Sequence, residues 1–270
     1  MGGGAARAEF TGMKIDPEWY ARVALFIGGF PDSYLVFDCE TNGLEPRSKQ
    51  TLPVELGWCM VRDRIALQED SFLLNWALHP DIDAVWFEQS VRDTHRRMLE
   101  KGIEKVITWE QLVADGHDPR EVMPHFRQFL VEAQENNYKF VGHNIYGFDR
   151  PIVENATFTA TGDMFRFDYR LFIDTGMIEK ANTAGLAVPD LGQQAVFRWY
   201  ESVRGFVGRG KWNLGLCAQR YGLVEKHGLN LAEAHGAGFD CHMNHLLLEA
   251  YRELADSCQP DVATVPMNAS

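Results

Sequence analysis

The chain has 270 residues, 46% of them hydrophobic, with 26 Lys and Arg against 38 Asp and Glu and a formal charge of −12. That length can bury a substantial core without a disulfide or metal staple. The acidity excludes a protein that grips nucleic acid over a broad basic face, because such binding neutralises many phosphates; a cleft handling a short strand end stays open.

Residues 1–32 read as an N-terminal extension, a tail followed by a short helix around residues 19–26. Residues 34–40 read as a buried strand ended by the Asn42-Gly43 turn signal. Residues 54–61 and 71–78 read as two more, the latter with Phe72, Leu74, Trp76 and Leu78 on one face. Three strands in succession imply an antiparallel meander. Past residue 85 the pattern turns helical. Asp118-Pro119-Arg120-Glu121 is a helix start, with a capping Asp, Pro in the first turn and Glu three residues on. Its buried stripe is expected at Val122, Phe126, Phe129, Leu130 and Ala133. Residues 138–142 and 171–175 read as strands, and 151–159, 214–221 and 239–255 as helices. No repeat or composition break divides the chain. One α/β domain over 33–257 is expected, with a mixed sheet, an extended insertion at 182–212 and a C-terminal tail at 258–270.

Cys39, Cys59, Cys217, Cys241 and Cys258 form no C-x-x-C pair, so neither a zinc ribbon nor a disulfide framework is expected. No apolar run approaches the ~18 residues of a membrane span, and the start lacks a signal-peptide pattern. The chain reads as soluble and cytoplasmic.

Three carboxylate motifs carry chemistry. In Phe37-Asp38-Cys39-Glu40, strand periodicity puts Asp38 and Glu40 on one face, where two carboxylates at the end of a buried strand repel unless a cation sits between them. Solvated acids at a strand end are the plainer alternative. In residues 142–151, Asp149 stands at the start of a helix, where an anion is favoured and a simple helix cap would also serve. In residues 233–240, His235 lies on a glycine-flanked loop five residues before Asp240, which opens the last helix.

Taken in order, these segments resemble the DEDDh branch of the DnaQ-like 3′–5′ exonucleases, a family that includes ribonuclease T, oligoribonuclease and the proofreading subunit of bacterial DNA polymerase III. Asp38-Cys39-Glu40-Thr41-Asn42-Gly43-Leu44 matches D-x-E-T-x-G-L; His143-Asn144 through Phe148-Asp149 matches the second motif, and His235 with Asp240 the third, H-x4-D. Glu55-Leu56-Gly57, Asp174-Thr175 and residues 214–223 are lesser echoes, and the likeness spans roughly 34–255. Two features depart from it. Three residues separate Asn144 from Phe148 where the polymerase III subunit has two, and residues 182–212 exceed what compact members carry. Gly236 stands where the tyrosine branch would need Tyr.

The resemblance implies a ribonuclease-H-like fold with a five-stranded mixed sheet ordered 3-2-1-4-5 and flanked by helices. It implies a metal-dependent exonuclease acting on single-stranded DNA or RNA 3′ ends and releasing nucleoside 5′-monophosphates. Asp38, Glu40, Asp149 and Asp240 would hold two Mg²⁺ or Mn²⁺ ions, Asp38 bridging both, with His235 as general base. Thr41 and Leu44 would touch the terminal nucleotide, and Asn144 and Phe148 the substrate nearby. Glu55 and Asp174 are expected in supporting positions. His242 and His245, about 200° and 140° around the helix from Asp240, should point away to solvent. In residues 197–212, basic and aromatic side chains interleave, so Arg198, Trp199, Arg209 and Lys211 are expected to grip the strand. A helix packing its aromatics into the core is the alternative there. The rival function is a strand-end-binding or proofreading module within a polymerase or processing complex, and the family leaves a homodimer or a polymerase partner open.

Overall fold

The computed structural model describes residues 15–103, 105–190, 196–206 and 212–258, apart from the side chain of Gln68. Helix α1 (Pro17–Ile27) starts where Asp16 accepts a hydrogen bond from Glu18 N and Pro17 opens the first turn, and it stops at Gly28 with φ 82°. It does not trail outside the core: Trp19, Tyr20, Val23, Phe26 and Ile27 are buried, and Tyr20 stacks on Tyr251 with ring centroids 5.0 Å apart.

The meander follows as β1 (Tyr34–Thr41), β2 (Pro53–Arg62) and β3 (Ile65–Leu73), paired antiparallel. Between β2 and β3, Asp63 and Arg64 both adopt positive φ, the two-residue turn geometry that suits strand twist. The third strand differs from the sequence expectation at both ends. It begins at Ile65, as an edge strand whose polar residues leave no apolar alternation to read. It ends at Leu73; Trp76–Leu78 is a 3-10 turn capped by Asn75. Trp76 leaves the ladder because its indole N–H donates to Pro53 O at 2.7 Å while the ring is buried.

Helices α2 (Ala84–Glu100), α3 (Trp109–Asp115) and α4 (Pro119–Glu135) lead to β4 (Lys139–Gly142), α5 (Asp149–Thr161) and β5 (Phe172–Asp174). Then come α6 (Thr175–Thr183), α7 (Val196–Gly205), α8 (Leu214–Arg220), α9 (Leu223–His227) and α10 (Ala237–Asp256). Asp118 caps α4 as read from the sequence, but the buried stripe includes Met123 in place of Val122, and Phe129 packs only at its margin. The sheet runs β3-β2-β1-β4-β5, with β4 parallel to β1 and to β5; order 3-2-1-4-5 is the one expected.

Each face of the sheet has its own core. Tyr34 and Val36 face α1, α6 and α10, whereas Leu35, Phe37 and Cys39 face α2, α4 and α5. Period-two alternation therefore aims Asp38 and Glu40 at the α10 face. Among the described residues, no helix is long and apolar enough to cross a membrane, and all five cysteines are free.

Candidate active site

Two openings in the sheet create the site. Strand β4 pairs with β1 only as far as Val141 opposite Val36, so the last residues of β1 have a free edge on that side. Asp149, at the start of α5 and 2% exposed, fills it by accepting from Cys39 N at 3.0 Å. The second opening is Gly57 in β2, directly opposite Asp38. A Cβ there would stand 2.4 Å from the carbonyl carbon of Ala237, so only glycine lets the start of α10 descend onto the sheet. Glu55 fixes the descent: its Oε2 accepts from Ala237 N at 3.0 Å, supplying the cap that Gly236 lacks. Asp240 follows in the first turn of α10, beside β1.

Carboxylates from β1, α5 and α10 thus converge closely enough to feel one another's charge. One ligand atom each from Glu40, His235 and Asp240 lie within 4.8 Å of one another. Asp240 Oδ1 is buried with no hydrogen-bond partner. His235 is exposed on the loop before α10, at φ 70°, a left-handed conformation that few non-glycine residues adopt. Lys105, in the loop after α2, reaches the same loop by donating to Glu233 O at 3.1 Å.

The electrostatics follow from burial and crowding. Burial, then the charges of Asp149, Asp240, Glu40 and Glu55, pushes the Asp38 carboxyl well up. Glu40 is raised likewise by burial, then by Asp240, Glu55 and Asp149. Asp149 is raised to about 7 by burial, against the opposing hydrogen bond from Cys39 N. Asp240 also reaches about 7 through burial and Glu55, with a backbone N–H of His235 and the Lys105 charge opposing. Burial lowers His235 below the ordinary imidazole value, favouring its neutral form. Like charges confined in this way lower their repulsion either by taking up protons or by sharing a cation.

The loop carrying Asp149 has its own anchor. Asp174, fully buried at the end of β5, accepts from Asn144 N (2.9 Å), Tyr146 N (3.0 Å) and Met177 N (2.9 Å). Those bonds hold the loop over residues 142–148 and keep Asn144 at φ 66°. Burial raises Asp174 to about 6 against those N–H donors. It is a scaffold for the loop, the supporting position expected for it.

The remaining sequence-predicted residues divide. Thr41 lines a narrow cleft beside Glu40 and His235, walled on the far side by His95 and Met98 of α2 and by Ile107; its hydroxyl donates to Gly43 O. The α2 contribution left no motif in the sequence. Leu44 is 53% exposed, Asn144 is exposed and Phe148 half-buried at the second-motif loop. Arg198 is exposed on α7. Trp199 corrects the sequence reading: 5% exposed, it packs edge-on against Phe26 in the core and offers no face to a base. Tyr200 is equally buried, its hydroxyl accepting from Asp174 N, so α7 turns these two aromatics inward and leaves Phe197 exposed. Arg209 and Lys211 lie outside the described residues. His242 pairs with Glu69 at 2.7 Å. His245 also corrects the expectation of a solvated surface: 7% exposed, it is buried against the Tyr34 hydroxyl at 2.7 Å.

No protein-family model and no curated protein matches the chain. Solved structures do. The fold resembles that of exonuclease I. One exonuclease I structure superposes with a TM-score of 0.53 at 14% identity, covering 84% of this chain and 43% of that one. The zinc-ion-bound form of an E. coli exonuclease I–ssDNA complex gives 0.52 at 14% identity, covering 84% and 42%. A product-bound exonuclease I gives 0.50 at 14% identity, covering 84% and 45%. The ribonuclease-H-like α/β architecture expected from the sequence is therefore the one present, and this chain spans less than half the length of those exonuclease I chains.

Proposed function

We propose that the chain is a metal-dependent 3′–5′ exonuclease of the DEDDh type, removing nucleoside 5′-monophosphates from single-stranded ends. The observation that carries this reading is the convergence of the half-buried Asp38, Glu40 and Asp240 with the buried Asp149, and His235 at the rim. The donor set fits hard divalent cations: it is almost wholly carboxylate oxygen, and Asp240 Oδ1 is an orphaned buried acceptor. The four acids, Asp38, Glu40, Asp149 and Asp240, would hold two Mg²⁺ or Mn²⁺ ions. Bound there, such ions stabilise charge on the attacking and leaving oxygens of an in-line displacement.

The chain's own residues account for the rest. His235, at the rim of the cluster with its pKa shifted below the ordinary imidazole value by partial desolvation, accepts the proton of the attacking water as the water oxygen bonds to phosphorus. The bond from phosphorus to the 3′-oxygen breaks, and that oxygen takes a proton from solvent. Thr41 and Leu44 border the place of the terminal nucleotide, and Asn144 and Phe148 the strand beside it. Exonuclease I has been solved with single-stranded DNA, which supports DNA as the first substrate to try, with RNA in parallel.

A 5′-labelled oligonucleotide incubated with Mg²⁺ or Mn²⁺ tests the reading. A ladder shortening from the 3′ end is expected, and His235→Ala should retain metal binding while losing rate by about 10²–10⁴-fold. Retention of the strand without cleavage, with either ion and either sugar, would instead favour the strand-end-binding module.

A further inference from the structure

The loop that carries Asp149 also borders a cavity of about 520 Å³, built from that loop, α6, α7 and Trp212. Among the described residues two cations line it, Lys180 of α6 and Arg204 of α7, and no carboxylate does; in a chain of formal charge −12 this is an unusual wall. Lys180 Nζ donates to Arg204 O at 3.0 Å and lies 5.5 Å from the centre of the Trp212 ring. Among the described residues no carboxylate pairs with Lys180, and Arg204 reaches only Glu201, at 3.8 Å. Arg204 Nε stands 3.9 Å from where a Cβ on Gly147 would be, two residues before Asp149. His143 stiffens the wall without adding charge: its Nε2–H donates to Trp212 O at 2.6 Å, and burial lowers its pKa to about 4.

We propose that this cavity is a nucleotide subsite, in which Lys180 and Arg204 hold a phosphate of the strand upstream of the bond being cut. The inference rests on the exonuclease reading and adds a second binding position to it. Two neighbouring cations repel, and an anion between them relieves that repulsion. The volume falls in the roughly 300–1,000 Å³ range of pockets that enclose a ligand of nucleotide size. A bare phosphate would leave most of it empty. Its rim is the loop that sets Asp149, so a strand threaded past the acids would meet these cations next. The basic stretch read from the sequence thus contributes through Arg204, with Lys180 from outside that stretch, while Trp199 turns inward.

The test uses the full chain and oligothymidylates of two, four and eight nucleotides, with Lys180→Met, Arg204→Gln and the double variant. For the double variant, kcat/KM on the eight-nucleotide strand should fall at least tenfold, with a loss that grows with length. The salt dependence of binding should lose about one phosphate contact, a slope change of about 0.7. Loss equal at every length, or no loss, overturns the subsite. A free mononucleotide site gives a third pattern: thymidine monophosphate inhibits wild type but not the double variant, while length dependence persists. That result also overturns the strand assignment. Anisotropy of the labelled eight-nucleotide strand in Ca²⁺ separates this inference from the one beneath it. If wild type cuts nothing, the exonuclease reading fails, yet tighter binding by wild type than by the double variant still supports the cavity. Should Lys180→Met fail to fold, the half-buried Arg204→Gln carries the same comparison.

Discussion

Gly57→Ala probes whether the start of α10 must touch the sheet for the site to exist. The added methyl would lie 2.4 Å from the carbonyl carbon of Ala237 and 2.6 Å from both its oxygen and Gly238 N. Ordinary contact for such atoms is about 3.5–4.0 Å, so the helix start must retreat by about 1 Å or more. These are backbone atoms, and no side-chain rotation can relieve them. Overpacking of this kind costs roughly 1–3 kcal/mol, lowering the unfolding midpoint by roughly 2–4 °C per kcal/mol in a domain of this size. The sharper consequence is local. The Glu55–Ala237 hydrogen bond, now 3.0 Å, would break, and Asp240 would move away from Glu40 with its helix turn. A misplacement of about 1 Å can cost on the order of 10²-fold in rate. Calorimetric titration with Mn²⁺ and the 3′-end ladder assay should both show the loss. Gly238→Ala is the control: its Cβ would meet only Ser71 Cβ and Oγ, at 3.6 Å, an ordinary contact. Equal metal affinity in Gly57→Ala and wild type, or equal damage from Gly238→Ala, would refute the argument.

Three further outcomes are expected. Without divalent ions, Asp149 and Asp240 hold protons up to about pH 7 in the folded chain but release them near 3.8 unfolded. Their contribution to stability is complete below about pH 4 and is lost as pH rises towards 7, so the metal-free unfolding midpoint should be lower at pH 7.5 than at pH 5, and Mn²⁺ should raise it at pH 7.5; a metal-free midpoint that rises over this interval contradicts the crowding of acids. Asp174→Asn removes one acceptor oxygen from three backbone N–H groups, which should cost roughly 1–3 kcal/mol and loosen the second-motif loop; amide exchange of Asn144 and Tyr146 no faster than in wild type would count against the anchor. Trp199→Ala should lose about 3–5 kcal/mol as a buried aromatic, read by denaturant unfolding, whereas a selective loss of strand affinity at full stability would restore Trp199 to the binding surface.

The candidate site was more legible in the sequence than the parts that shape it. Asp38 and Glu40 share a strand face by local periodicity, and Asp149 and Asp240 stand at helix starts, but it was the family resemblance that joined them with His235 into one candidate site and implied the sheet order; the element pattern alone reached a mixed α/β sheet. What escaped were effects of distant contacts. Trp76 continues the alternation of the third strand only in sequence, because a hydrogen bond to Pro53 O takes it out of the ladder. Interleaved basic and aromatic residues in α7 suit a strand-binding surface and a core helix equally, and packing against Phe26 decides for the core. Helical angle turned His245 away from Asp240, yet the far side of α10 is also covered, by Tyr34 of β1. Gly57 was legible only as part of a lesser echo; that its missing Cβ admits α10 required the three-dimensional approach.

The acidity that seemed to argue against a nucleic-acid enzyme has a physical place in this arrangement. Carboxylates pressed together beside β1 repel each other and any approaching phosphate, so on the proposed function strand entry at neutral pH would require divalent ions. Two divalent ions would bring the chain from −12 to about −8 and the four-acid cluster to about zero. Much of the surface would still repel a long duplex, and among the described residues attraction would centre on the loaded cluster, Lys105 near it, and the Lys180–Arg204 wall. Attraction so narrow suits one strand end presented lengthwise. Strand binding should therefore depend more steeply on divalent ion than on any single surface cation.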